Sequence, residues 1–250
     1  MPKKSTKLSA GKMQLTDSGV ASVDKALLIL RLFTSQTQEL SLNDIAQLTG
    51  FYKSTALRML ASLGAALLVL KRADGMYILG PTIASLHAGY QDTQSFEVLI
   101  IPVLESLMKT THESAAFHVR EGKQRLCLYR VDSKQALRDH IKVGDLLPLD
   151  KGAGGKVLMA FEGASGKAFA DIRKDMVLAI TGDRVKEISG ISSPVFNQEG
   201  LIGVITLTMP TYRFDPKMTS HVKASAKKLT ELLGGQFQPS TNLRRSTYSQ

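Results

Sequence analysis

Only one cysteine, Cys127, occurs in the 250 residues, so no internal disulfide can close and no cysteine cluster can hold zinc. That usage fits a reducing compartment. No apolar run approaches the roughly 18 residues of a membrane span, and the richest, Ala65 to Leu70, is far shorter. Met1 to Leu15 carries lysines but no apolar segment of the kind a secretory signal uses, so the reading is a cytoplasmic protein with no membrane partner. The histidines His87, His112, His118, His140 and His221 lack HExxH or other metal spacing, and each reads as a surface or strand residue. Gly152 to Lys156 invites a phosphate-loop reading, but Asp150 stands where GxxxxGK begins and Val157 replaces its Ser/Thr. No nucleophile and base pair stands out. No catalytic residue, metal or cofactor is expected, and the chain is not read as an enzyme.

Acidic residues are also scarce, 22 against 32 basic ones, a formal charge of +10. With 43% apolar and 22% charged side chains, the composition is that of a soluble globular chain, one large domain or two ordinary ones. Residues 1 to 80 hold 10 Lys/Arg against 5 Asp/Glu, half of the excess in a third of the length. Charge alone divides evenly between a polyanion partner and a merely basic protein, so a motif must decide.

Residues 1 to 20 read as a flexible basic arm. Residues 21 to 81 then carry a helix, two further short helices joined by a tight turn, and a hairpin. A helix capped by Ser22 places Val23, Ala26, Leu27, Leu30 and Phe33 on one stripe. Ser41 and Asp44 form a capping-box signature for a second helix that stops at Gly50. A third opens near Lys53 and sets Ala56, Leu57, Leu60 and Leu63 inward, leaving Ser54, Thr55, Arg58 and Ser62 outward. Leu67 to Arg72 and Met76 to Leu79 read as strands about an Asp74-Gly75 turn. This is the pattern of a winged helix-turn-helix.

A linker helix over residues 82 to 95 leads to a second domain over 96 to 236, with a polar tail over 237 to 250. Its helix, Phe96 to Thr110, precedes hairpins over Glu113–Val131 and Ile188–Met209, and a further strand is expected around Ile141-Lys142-Val143. A glycine-rich turn, Gly152 to Gly155, runs into a helix over Lys156–Phe161, and His221–Leu233 closes the chain. Antiparallel strands flanked by helices make the fold class α+β, the second domain being a sensor-like unit.

Chemically, the third helix suits the major groove, which admits one helix and presents donor and acceptor edges. Tyr52, Lys53, Ser54 and Thr55 sit at its start, where amides and hydroxyls hold phosphate, and Arg58 is placed to read a guanine edge. Lys71 and Arg72 on the wing suit the DNA backbone or minor groove, and Ser41 completes the candidate interface. The alternative from periodicity is a helical hairpin with a solvated charged face.

The run Leu42-Asn43-Asp44-Ile45-Ala46, then Gly50-Phe51-Tyr52-Lys53-Ser54-Thr55, Arg58 and Tyr77-Ile78-Leu79-Gly80, resembles the N-terminal domain of IclR-family bacterial transcriptional regulators. Leu147-Pro148-Leu149 with Ala153, Gly155 and Lys156 resembles that family's LPLHATAxGKA segment, and Gly190 to Phe196 its GIAAPVF strand. Gly182-Asp183-Arg184 sits where the family often has Gly-Glu-Arg. The likeness covers roughly Ser22 to Leu233.

The resemblance implies a homodimer or homotetramer whose winged domains bind a pseudo-palindromic double-stranded operator. It also implies a GAF-like C-terminal domain for a small effector, often a carboxylate. Carried over by position, Ala153 and Gly154 would present amides to the effector, Asp183, Ile188 and Gly190 would line one wall, and Thr206 and Thr208 would offer hydroxyls. A glycine-rich turn at a helix start suits an anion on physical grounds as well, whereas two threonines in a strand also follow from β-propensity alone. Against the family pattern, Asp150 replaces a histidine, Lys151 and Gly152 replace Ala and Thr, Tyr52 replaces a proline, and Leu67 replaces the glycine before the wing. The stretch from Phe161 to Gly182 is also short. A ligand-responsive regulator is therefore expected, its alternatives being a constitutive DNA binder with a degenerate pocket and an enzyme with an appended DNA-binding module.

Overall fold

A computed structural model describes residues 19–34, 37–93 and 96–238. Most of the basic arm and of the polar tail thus lies outside the described residues. The chain divides into two compact units, Met1–Thr93 and Gln94–Gln250.

In the first unit, α1 (Ala21–Leu30) is followed by β1 (Glu39–Leu40), α2 (Leu42–Thr49), α3 (Lys53–Ala65), β2 (Val69–Lys71), β3 (Tyr77–Leu79) and α4 (Thr82–Thr93). Ser41 caps α2 reciprocally: its hydroxyl accepts from the Asp44 amide while Asp44 accepts from the Ser41 amide. Gly50 ends α2 at φ 72°, a left-handed cap that costs glycine little. Ile29, Leu32, Phe33, Ile45, Ala56, Leu60, Leu63, Val69 and Tyr77 fill one core between the helices and the wing. The wing has three strands in the order β1-β3-β2, all antiparallel, because Glu39-Leu40 pairs with Tyr77-Ile78.

Three expectations for this unit need correction. Ser22 lies inside α1, whose N-cap is Val20 with no side-chain cap bond. Val23 and Leu27 are exposed while Leu28 and Ile29 are buried; α1 is apolar on most sides, so periodicity did not fix its inward face. Leu57 is likewise 44% exposed, which widens the outward face of α3. Leu67, where glycine is usual, adopts φ 54°, a left-handed conformation that strains a side chain with a Cβ.

The second unit comprises α5 (Phe96–Thr111), β4 (Ser114–Glu121), β5 (Gln124–Val131), β6 (Leu146–Pro148), α6 (Gly152–Phe161), α7 (Lys167–Asp175), β7 (Leu178–Thr181), β8 (Ile188–Phe196), β9 (Leu201–Pro210) and α8 (Met218–Leu232). Its six strands form one antiparallel sheet in the order β6-β5-β4-β9-β8-β7. Strand alternation divides their side chains between two faces. Ala115, Phe117, Tyr129, Ile191, Ile205, Leu207 and Met209 pack with Ile100, Leu104, Leu107, Val222, Ala226 and Leu229 of α5 and α8. His118, Arg125, Cys127, Thr206 and Thr208 point the other way, toward α6 and the connection from β5 to β6.

The strand expected around Ile141 does not form. Asp145 accepts from the Lys142 amide at 2.8 Å and its own amide donates to the Lys142 carbonyl, closing a turn; a local carboxylate bond competes with the ladder there. The glycines expected in a turn are instead the first turn of α6, which begins at Gly152. The short stretch after Phe161 still holds α7, whose Ile172 packs with Phe161 of α6. No helix among the described residues is long and apolar enough to cross a membrane.

Candidate nucleic-acid interface and effector pocket

The first candidate site is the outer face of α3. Tyr52, its N-cap, is 86% exposed and makes no side-chain cap bond, and no acidic residue occupies the first turn. The first amides of a helix lack intrahelical partners and carry the positive end of its dipole, so this terminus is open to phosphate. Lys53, Ser54 and Arg58 are exposed and Thr55 is half-buried. Ser54, Arg58 and Ser62 repeat every fourth residue along one line of the helix.

The remaining candidates are engaged with protein. Ser41 donates its hydroxyl to Asp44 at 2.7 Å, so its side chain serves the α2 cap. Lys71 lies 5.8 Å from the Tyr77 ring centre. Arg72 is tied to Glu39 and Asp74, each at 2.6 Å, on an exposed surface. Exposed pairs are worth about 1 kcal/mol or less, so this one releases its cation readily to a phosphate.

The second candidate site is a cavity of about 390 Å³, counted to its open mouth, over the sheet face that meets α6. Ala153, Gly154, Asp183, Ile188, Gly190, Thr206 and Thr208, the seven positions singled out for an effector, all fall on its lining. The first turn of α6, the end of β7, the start of β8 and the centre of β9 bring them together. Asp183 is already committed: it accepts from the Gly152 amide at 2.6 Å and from Lys156 Nζ at 2.8 Å. The hydrogen bond from Lys156 holds its carboxyl below the usual range, against partial burial and with help from the Gly152 amide. Thr206 shares a 2.8 Å hydrogen bond with Ser192, whereas the buried Thr208 hydroxyl has no partner among the described residues. Asp150 and Lys151 are exposed and neither lines the cavity.

Sequence reasoning missed His118, Arg125, Ile141, Ile180 and Arg184 on the same lining. A signal for Arg125 existed, because it alternates with Cys127 and a packed thiol puts both on a buried face. Arg125 is 4% exposed, and its Nη1 donates to the carbonyls of Pro148 and Lys151. Burial, assisted by the Arg184 charge, pulls its pKa down to about 10, leaving it charged at neutral pH. A register shift between Phe117 and His118 then returns Arg130 to this same face, where it pairs with Asp139. Burial opposes the charge of Arg130, and the attraction of Asp139 and Asp132 outweighs it.

His118 is 1% exposed and neither ring nitrogen has a partner among the described residues. Its pKa lies well below 6.5 through burial first, then repulsion by Arg125, Arg130 and Arg184. The unfolded chain therefore takes up a proton below about pH 6.5 that the folded chain refuses, so this residue's contribution is full above 6.5 and lost as pH falls. His118→Leu is expected to flatten the decline of urea-measured stability from pH 7.5 to 5 by up to about 1.4 kcal/mol per pH unit. Parallel declines in both proteins would refute that assignment.

Both units now define a class: a winged helix-turn-helix protein carrying an α/β domain with an open cavity lined by apolar, polar and charged residues. Residues 22–66 match the IclR helix-turn-helix domain, and residues 92–168 match the bacterial transcriptional regulator IclR C-terminal domain. The chain belongs to the IclR family of bacterial transcriptional regulators. It is similar to the glycerol operon regulatory protein of Streptomyces griseus, 29% identical over 67% of this chain and 65% of that one, so the match spans just under two thirds of the relative. The protein of the same name from Streptomyces coelicolor is 26% identical over 87% of this chain and 98% of its own. Among solved structures, an IclR homolog from Microbacterium hydrocarbonoxydans complexed with 4-hydroxybenzoate shares the fold, with a TM-score of 0.75 at 17% identity over 85% of this chain and 99% of that one.

Proposed function

We propose that the chain is a DNA-binding transcriptional regulator that reads an operator through α3 and its wing and responds to a small, carboxylate-bearing metabolite in the α6 cavity. The observation that carries the first half is the open N-terminus of α3, with no acidic residue in its first turn and with Tyr52, Lys53, Ser54 and Arg58 exposed beside it. An amide-rich helix start positions phosphate, while a guanidinium one turn further reads base edges. On this reading Tyr52 to Thr55 fix register, Arg58 specifies sequence, and Lys71 and Arg72 add phosphate contacts from the wing.

The second half is supported by the convergence of α6 amides, threonine hydroxyls and buried cations on one cavity, and by a fold neighbour that holds a small aromatic carboxylate. Linkage supplies the mechanism. As a homodimer or homotetramer on a pseudo-palindromic site, the protein binds DNA best in one spacing of its two α3 helices. An effector that prefers another spacing lowers operator affinity by its differential binding free energy.

The test is fluorescence anisotropy of labelled DNA from upstream of the protein's own gene, against a scrambled sequence, at two salt concentrations. Specific binding is expected to survive added salt better than binding to the scramble. Arg58→Ala is expected to cost about 1–3 kcal/mol on the operator while nearly sparing random DNA. Equal losses on both would make Arg58 a phosphate contact only.

A further inference from the structure

The buried charges around the cavity do not balance. Arg130 has Asp139 and Asp132 as ion-pair partners, and Asp183 has Lys156. Arg184 stands 3.9 Å from the same Asp139 and is partly exposed. Arg125, almost completely buried, has no carboxylate within 4 Å among the described residues; its Nη1 faces only two neutral carbonyls and its Nε has no partner. A buried guanidinium without a counter-charge is costly in a folded protein, and an anionic ligand relieves that cost.

The glycines of α6 belong to the same arrangement. A Cβ at Gly154 would lie 3.4 Å from Arg125 Nε and 2.9 Å from Thr206 Oγ1, and one at Gly152 3.2 Å from Arg125 Nη2. The helix start thus lies flat against the guanidinium, and both belong to the cavity wall. One amide of that helix start, Gly152, is taken by Asp183, so an incoming anion finds its free charge at Arg125. Thr208 Oγ1 and both nitrogens of His118, also buried, partnerless and on the lining, supply neutral hydrogen-bonding groups beside it.

We propose that Arg125 is the residue that meets the negative charge of the carboxylate-bearing ligand read into this cavity, with Thr208 and His118 selecting the ligand's remaining polar groups. The proposal rests on the reading of the cavity as a pocket for a carboxylate-bearing effector and specifies the residue that reads that charge. The lining carries two arginines against one carboxylate, and that carboxylate is shared with Lys156, so one negative charge at the least is accommodated.

The test uses the full chain and four probes, acetate, pyruvate, benzoate and 4-hydroxybenzoate, each against its primary amide, at 50 mM and matched ionic strength. Thermal shift is expected to show stabilisation by at least one carboxylate and none by its amide. Titration of that carboxylate is expected to weaken at least tenfold in Arg125→Gln and about threefold in Thr208→Val, with folding of each variant checked by circular dichroism. Undiminished binding by folded Arg125→Gln overturns the assignment to Arg125 and leaves the effector pocket standing. Equal stabilisation by acids and amides overturns the role of Arg125 together with the carboxylate part of the proposed function, and leaves the cavity standing as a ligand pocket. No shift with any of the eight probes overturns both. If Arg125→Gln does not fold, the contrast between acid and amide on the wild type, together with Thr208→Val, decides.

Discussion

Gly155→Ala is expected to destabilise the second unit by about 3 kcal/mol or more, the upper end for overpacking a closed site. A Cβ there would stand 1.9 Å from the Leu149 carbonyl oxygen and 2.8 Å from Arg125 Nη1. The first contact is with backbone, so no rotamer change relieves it; either α6 or the strand end before it must move. Because Leu149 leads directly into α6 and Arg125 anchors the Pro148 and Lys151 carbonyls, the displacement also opens the cavity. Urea unfolding monitored by circular dichroism is the measurement. Gly89→Ala serves as control, since a Cβ there meets nothing within 4 Å on an exposed turn of α4, and it is expected to stabilise slightly. A loss under 1 kcal/mol for Gly155→Ala would mean that α6 tolerates a shift its contacts forbid.

The second large effect is expected at Asp139. Its side chain and that of Arg130 are each 3% exposed and pair directly, and Arg184 of the cavity lining lies 3.9 Å from the same carboxylate. Replacing such a pair with apolar residues is often neutral, but removing one partner leaves an uncompensated buried charge at a cost of about 3–5 kcal/mol. Asp139→Ala should fall near 3 kcal/mol, because Arg130 keeps a 2.7 Å contact with the half-exposed Asp132. The double variant Asp139→Leu with Arg130→Met should recover most of the loss. A double variant as unstable as the single one would show that packing around Ile141, rather than the stranded charge, sets the cost.

The same residues show where sequence reasoning stopped. Local rules sufficed where local chemistry decides: the Ser41-Asp44 box and the Gly50 cap stand as read. The hairpins of β4–β5 and β8–β9 were legible from their alternation and turn residues. The inward face of α1 was not, because Leu28 and Ile29 are as apolar as Val23 and Leu27 and only the packing of α2, α3 and the wing chooses between them. Residues 141–143 read as a strand on β-propensity, yet the Asp145 turn wins because its hydrogen bonds are local.

The sequence by itself determined the two-part organisation, the winged helix-turn-helix, the polar outer face of α3 and the family to which the chain belongs. Each follows from periods, caps and ordered motifs within a few tens of residues. Only the tertiary structure decided the cavity. Arg125 on β5, His118 on β4 and Thr208 on β9 meet on one side of a sheet whose order is not the chain order. The shift in the β4–β5 register then sets Arg130 on that side as well, opposite Asp139 from a loop. Whether a buried arginine is neutralised or left for a ligand depends on what lies within a few ångströms of it, and pairing across strands, not spacing along the chain, fixes those neighbours.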